Sequence, residues 1–102
     1  MGFIFIYITN PTREKAKKIA RHLLENKLIA CANIFPVESL YWWNGKIAEE
    51  NEVILVAKTA EDKFEKVKSE VENLHSYKIP CIAKIPVALN KKYATWLKEN
   101  IK

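Results

Sequence analysis

The chain has 102 residues, of which 49% are hydrophobic and 28% charged, and these proportions exclude a disordered protein. The length leaves room for a single domain over residues 1–102. The net charge of +5 comes from 17 basic and 12 acidic residues, but the lysines are interleaved with glutamates along predicted helices, so we expect no nucleic-acid binding.

The first third of the chain predicts a strand, a helix and a second strand. Phe3 to Ile8 is apolar at every position, which indicates a central strand covered on both faces. Asn10-Pro11-Thr12 breaks this strand and opens a helix that ends at Asn26-Lys27, and Leu28 to Ile34 is the second strand. The apolar stripe of the helix consists of Ala16, Ile19, Ala20, Leu23 and Leu24.

The middle of the chain predicts a β-hairpin whose turn has two candidates. Pro36 is expected to interrupt strand pairing, and the hairpin arms then run from Glu38 to Ala48 and from Asn51 to Thr59. Asn44-Gly45 favours a tight turn by its local chemistry. Glu49-Glu50-Asn51-Glu52 is the competing turn, more polar and better centred between the apolar runs.

The last third predicts a helix, an edge strand and a short terminal helix. Cys81 to Val87 is the strand, and Asn90 opens the last helix. The resulting order, β-α-β-β-α-β with a C-terminal helix, is the ferredoxin-like split β-α-β arrangement of the α+β class. The apolar helix positions are Phe64, Val67, Val71 and Leu74, then Tyr93, Trp96, Leu97 and Ile101.

Strand order in this topology is 4-1-3-2, which puts Cys31 and Cys81 at opposite edges of the sheet. Three strand spacings separate them by ~14 Å, whereas a disulfide needs Cα atoms within about 7 Å. We therefore expect free thiols. No apolar segment reaches the ~18 residues of a membrane span, and residues 1–8 lack signal-peptide features, so we expect a cytoplasmic protein that contacts no membrane.

Two adjacent tryptophans, Trp42 and Trp43, point to opposite faces of a strand, and one small domain offers only one core. One ring therefore needs a second apolar partner, most simply another copy of the chain. We interpret Tyr41, Trp42 and Trp43 as interface residues rather than as a ligand platform. The alternative is that both tryptophan rings cover a single core.

Four short segments form a combination that is specific to one family. They are Ala30-Cys31-x-Asn33-Ile34, Ser39-x-Tyr41-x-Trp43-x-Gly45-Lys46-Ile47, Glu52 with Lys58-Thr59, and His75-x-Tyr77-x-x-Pro80. In these segments the chain closely resembles the CutA divalent-cation tolerance family, and the similarity runs from Thr9 to Leu97.

The resemblance implies a cytoplasmic homotrimer of ferredoxin-like subunits, similar in shape to the PII signalling proteins. It also implies association with copper and other divalent cations and a response to metal ions. Long hairpin arms are a further implication, and they lead us to place the turn at Glu49-Glu50-Asn51. The alternative function is a PII-like sensor of a small ligand, or an interaction module, in which metal binding is incidental.

Only one histidine of the family's copper-associated pattern is present. Members credited with copper binding carry a Cys on the first strand and His-His before Pro-Tyr, where this chain has Ile8 and Leu74-His75-Ser76-Tyr77. We therefore expect Cu(II), or another divalent cation, to bind weakly and to need the neutral imidazole of His75. Cys31 is a second candidate metal ligand. The alternatives are a helix-ending role for His75 and simple burial of Cys31.

A cleft between subunits is the remaining candidate site. We expect Glu52, Lys58, His75 and Tyr77 to converge there from different chains, with a salt bridge of Lys58 to a carboxylate as the alternative. The sequence contains no nucleophile elbow, phosphate-binding glycine loop or metal-binding helix motif, so we predict that the protein is not an enzyme.

Overall fold

The computed structural model describes residues 2–102 and confirms the predicted order, β-α-β-β-α-β followed by a helix. The first helix begins after Thr12, whose hydroxyl oxygen accepts a hydrogen bond from the backbone N–H of Lys15 at 3.1 Å. The elements are β1 (Phe3–Asn10), α1 (Arg13–Glu25), β2 (Cys31–Trp43), β3 (Lys46–Ala60), a 3₁₀ turn (Glu61–Lys63), α2 (Phe64–Leu74), β4 (Ile82–Val87) and α3 (Lys91–Glu99).

The strands form one antiparallel sheet in the order β2-β3-β1-β4, which confirms the predicted arrangement. β1 is central and pairs with β3 on one side and β4 on the other. Its side chains alternate between fully and partly buried, so the two faces of β1 are not equally covered. Cys31 and Cys81 are both free, as predicted.

The core lies between one face of the sheet and the helices α1 and α2. Ile4, Ile6 and Ile8 of β1 are buried against the apolar stripe of α1, where Leu23 is fully buried. Burying each such aliphatic side chain contributes about 1.5–3 kcal/mol. From α2, Val67 and Val71 complete the core, whereas the predicted core residues Leu24 and Leu74 are exposed.

The hairpin turn lies at Asn44-Gly45, so its predicted position at Glu49-Glu50-Asn51 is wrong. Trp43 pairs with Lys46, and the two residues between them have φ values of 50° and 76°. Positive φ at both positions is what a tight two-residue hairpin turn requires, and Asn-Gly adopts it most easily. The residues 49–51 instead pair along β3 with residues 38–40 of β2.

Pro36 does not interrupt the second strand. β2 continues from Cys31 to Trp43, and Pro36 pairs in register with Val53 of β3. β2 is an edge strand of this chain's sheet, and an edge strand accommodates a residue that has no backbone N–H on its open side. The uninterrupted β2 and β3 make a hairpin of 13 and 15 residues.

The hairpin extends well beyond the part of the sheet that the helices cover. The molecule measures 45 × 24 × 21 Å along its principal axes. The helix α3 packs on the sheet face opposite α1 and α2, where Tyr93 and Lys98 lie over side chains of β3 and β1. Among the described residues, no helix has the length and apolar character needed to cross a membrane.

Candidate functional site

An open groove lies where the hairpin meets the segment that connects α2 to β4, and we call it the hairpin groove. Its volume is about 690 Å³. The hairpin supplies most of its walls, and the connecting segment supplies the rest. It is lined by Thr9, Glu38, Ser39, Leu40, Tyr41, Trp43, Glu50, Glu52, Tyr77, Lys78, Ile79 and Cys81.

A buried carboxylate forms the inner end of the groove. Glu52 of β3 is only 8% exposed, and the hydroxyl of Tyr77 donates a hydrogen bond to its Oε2 at 2.6 Å. Burial and then the Glu52 carboxylate raise the pKa of Tyr77 well above its ordinary range. The phenol therefore stays protonated and holds the carboxylate in place.

A second tyrosine–carboxylate pair lies farther out on the same face of the hairpin. The hydroxyl of Tyr41 donates to Oε1 of Glu50 at 2.9 Å. That hydrogen bond, more than burial, raises the pKa of Tyr41. Because Glu50 and Glu52 are two residues apart on one strand, both side chains project from the same face.

The groove is acidic although the chain as a whole is basic. Its lining contains Glu38, Glu50 and Glu52 but only one basic residue, Lys78. Glu50 and Glu52 project from the groove face of the hairpin, whereas the strand register puts Glu38 on the opposite face. The ion pairs found within residues 2–102 join Glu65 or Glu70 to basic residues elsewhere, and none contains a groove carboxylate. A buried carboxylate without a cationic partner is energetically unfavourable, which makes the groove a candidate cation site.

His75 adjoins this groove with both ring nitrogens in hydrogen bonds. Its Nε2 lies 2.6 Å from the carbonyl oxygen of Thr9, which can only accept, so Nε2 carries the proton. The backbone N–H of Tyr77 donates to Nδ1 at 3.0 Å. The imidazole is therefore neutral in this arrangement and ties the segment after α2 to the end of β1. A metal ion at Nδ1 would have to replace the Tyr77 N–H.

Lys58 lies apart from the other predicted cleft residues. It lies six positions from Glu52 along β3, a distance of about 20 Å. Its ammonium group instead lies 5.2 Å from the ring centre of Phe5 and 5.6 Å from that of Tyr93. The structure thus brings Glu52, His75 and Tyr77 together within one chain and places Lys58 in an aromatic environment elsewhere.

Cys31 belongs to this second region, opposite Lys58 in the strand register. Burial, and then the neighbouring Cys31 thiol, raise the pKa of Tyr93 to about 12. Because His75 contacts the far end of β1, the two predicted metal ligands, Cys31 and His75, do not share one site within a single chain. Residues 2–102 contain no group of three His, Cys, Asp or Glu side chains placed to hold a metal ion.

The three predicted interface aromatics divide between the two faces of the hairpin. Tyr41 and Trp43 line the groove, where Trp43 is 46% exposed. Trp42 points the other way, as predicted, and is 73% exposed, so the two tryptophans do not cover a single core. Leu40 (66% exposed) and Ile47 (63%) share the strand face of Trp42, and we call this set the apolar hairpin face.

Sequence reasoning missed the contribution of Tyr41 and Glu50 to the groove. The signal was present, since Glu50 and Glu52 alternate on one strand and Tyr41, which pairs with Ala48, lies diagonally across from Glu50 on the same face. Placing a turn at residues 49–51 concealed it, because residues in a turn do not share a strand face.

Comparison with known proteins identifies relatives over nearly the whole chain. The model of the CutA1 divalent ion tolerance protein family matches residues 4–100. The Divalent-cation tolerance protein CutA of Archaeoglobus fulgidus is 47% identical over 98 residues, which are 95% of this chain and 96% of that protein. The protein of the same name from Pyrococcus horikoshii is 43% identical over 100 residues, 97% of this chain and 98% of the relative.

Solved structures of such relatives have the same fold. The periplasmic divalent cation tolerance protein CutA from Archaeoglobus fulgidus superposes with a TM-score of 0.96 at 46% identity, covering 98% of this chain and 99% of that one. CutA1 from Oryza sativa gives a TM-score of 0.96 at 36% identity, covering 100% and 95%. The chain therefore belongs to the CutA1 divalent ion tolerance protein family.

Proposed function

We propose that this protein is a divalent-cation tolerance protein that works as a homotrimer assembled through its hairpin and that associates weakly with Cu(II) or another divalent ion. The observation that carries the proposal is the apolar hairpin face of Leu40, Trp42 and Ile47, which are each more than 60% exposed in a single chain. Large contiguous apolar surface on a soluble domain favours association.

The geometry of the hairpin supports assembly in a second way. β2 is an edge strand, and its outer backbone groups have no partner strand within residues 2–102. An open edge beside an apolar face is a surface that a neighbouring copy would cover, and a closed ring of copies covers it in every subunit. A neighbour in this position also borders the hairpin groove, which agrees with the predicted interface role of Tyr41 and Trp43.

His75 remains our proposed metal ligand. Its neutral ring presents a lone pair at Nδ1, and the N–H of Tyr77 already occupies that lone pair. Metal binding must replace this hydrogen bond, which is a physical reason for weak affinity. Cys31 remains a candidate ligand for a soft metal ion, because such ions favour thiolates. It is a candidate separate from His75, since residues 2–102 contain no group of three metal-binding side chains that would include both.

The alternative function is a PII-like sensor or interaction module in which metal is incidental. The observation that favours it is the hairpin groove, whose 690 Å³ is large enough for a small molecule. Neither function requires catalysis, and we retain the prediction that the protein is not an enzyme. The cytoplasmic location stays a prediction, because names of related proteins include both "periplasmic" and "chloroplastic".

Two measurements test the proposed function. Light scattering over a concentration series should give three times the mass of the chain, and a stable monomer at micromolar concentration would contradict the assembly. Calorimetric titration with Cu(II) should show weak binding that is lost in His75→Ala and that falls as pH drops, because protons compete with the metal ion for the imidazole nitrogen. His22→Ala is the matched control, since His22 lies on α1 and bonds to Glu70. Equal loss in both variants would refute the role of His75.

A further inference from the structure

We propose that the hairpin groove binds a linear aliphatic diamine, a ligand with one ammonium group at each end of a short apolar chain. The proposal rests on the alternative function, a sensor of a small ligand, and names the ligand class of its groove. Side chains of a single chain carry it, and no metal ion takes part. It rests on the charge of the groove, the spacing of two carboxylates and the aromatic surface between them.

The charge of the groove calls for a cation. Two carboxylates, Glu50 and Glu52, project from the groove face of β3, and each can accept one ammonium group of a diamine. Glu52 is 92% shielded from solvent, being 8% exposed, and none of the ion pairs in residues 2–102 includes it. A bound ammonium group removes the free-energy penalty of this unpaired charge.

The spacing of the carboxylates fits two ammonium groups rather than one. Glu50 and Glu52 project from the same face of β3 with Cα atoms about 7 Å apart. Tyr41 and Tyr77 each bond to one oxygen of their carboxylate, which fixes both groups and leaves the second oxygen of each as an acceptor. A chain of four methylenes spans a comparable distance.

The surface beside the carboxylates suits an organic cation better than a bare metal ion. Tyr41, Trp43 and Tyr77 line the groove, and aromatic rings attract ammonium groups while they pack against methylenes. Calcium and magnesium require about six or more oxygen ligands. The described part of the chain offers no cluster of even three metal-binding side chains, whereas an ammonium group needs only a few acceptors.

The test titrates the full-length protein with 1,4-diaminobutane and follows binding by calorimetry and by tryptophan fluorescence, since Trp43 lines the groove. We expect saturable binding that weakens at least about tenfold when Glu50→Gln or Glu52→Gln removes a charge-assisted hydrogen bond. Butylamine, with a single ammonium group, should bind at least about tenfold more weakly than the diamine. No saturation at millimolar diamine would overturn the proposal.

The control variant is Glu49→Gln, which removes the same charge from the adjacent, exposed residue on the opposite face of β3. Its affinity should stay within about twofold of the unmodified protein. Equal loss in Glu49→Gln and Glu50→Gln would show nonspecific attraction and overturn the proposal. Glu50 is exposed, so Glu50→Gln remains informative even if Glu52→Gln fails to fold. Light scattering on each variant separates a binding defect from an assembly defect.

Discussion

The two halves of β3 differ in what surrounds them although they form one continuous strand. From Glu52 onwards the strand lies in the body of the molecule, where Leu55 and Ala57 are fully buried under the helices. From Lys46 to Asn51 it lies in the extended hairpin, and nearly every residue is exposed. Folding stability therefore resides in the body, while the outer part of the hairpin leaves its side chains exposed in a single chain.

Two leucine substitutions test most directly whether the body and the hairpin differ in their contribution to folding stability. Leu23→Ala removes a fully buried side chain from the body and should lower the free energy of unfolding by about 2–5 kcal/mol. Leu40→Ala makes the same chemical change where the side chain is 66% exposed. In dilute protein it should change the free energy by less than about 0.5 kcal/mol. Urea denaturation followed by circular dichroism measures both.

The concentration dependence of the Leu40→Ala stability gives a second test of the same difference. If the apolar hairpin face is an assembly surface, then Leu40→Ala should become destabilising as protein concentration rises, because association adds to apparent stability. The cost of Leu23→Ala should persist at every concentration. Equal costs in dilute protein would mean that hairpin and body are not energetically distinct.

Tryptophan substitutions compare the two regions by assembly rather than by folding. Trp42→Ala removes the most exposed ring of the apolar hairpin face and should weaken self-association by about 2 kcal/mol or more, a loss typical of a central interface aromatic. Trp96→Ala on α3 is the matched control, since this ring is 43% exposed in the body. Sedimentation velocity over a dilution series measures the association. A larger loss in Trp96→Ala would move the interface to α3.

The sequence predicted the body far better than the hairpin. In the body, the buried residues repeat at the period of their helix or strand. Ile4, Ile6 and Ile8 alternate with partly buried residues on β1, and Val67 and Val71 share one face of α2. In the hairpin both faces are exposed in a single chain, so burial imposes no pattern. Polar residues such as Glu49 and Glu50 in the strand then resemble a turn.

The site was harder to predict because its contacts join distant parts of the chain. Glu52 and Tyr77 were both predicted as cleft residues, yet no local pattern shows that one phenol meets this carboxylate. The two hydrogen bonds of His75 depend on the backbone of Thr9 and Tyr77, which carries no sequence signal. Lys58 was predicted to join them from a different chain, which stays a prediction, because within one chain it lies six positions from Glu52 along β3.

The Tyr77–Glu52 hydrogen bond lies at the boundary between body and hairpin. Tyr77→Phe removes the donor and should cost about 1–2 kcal/mol at neutral pH, since the acceptor is a buried carboxylate and the phenol is partly exposed. Because folding raises the pKa of Tyr77, its contribution is complete below the unfolded-state value of about 10 and is lost as pH rises through the folded-state value. The stability difference between the two proteins should therefore be constant near neutral pH and shrink only in strong alkali.

Tyrosinate absorbance during alkaline titration should show one phenol that ionises late in the unmodified protein and is absent from Tyr77→Phe. A Tyr77 that ionises in its ordinary range would mean that the boundary is open to solvent and that Glu52 is not held by the phenol.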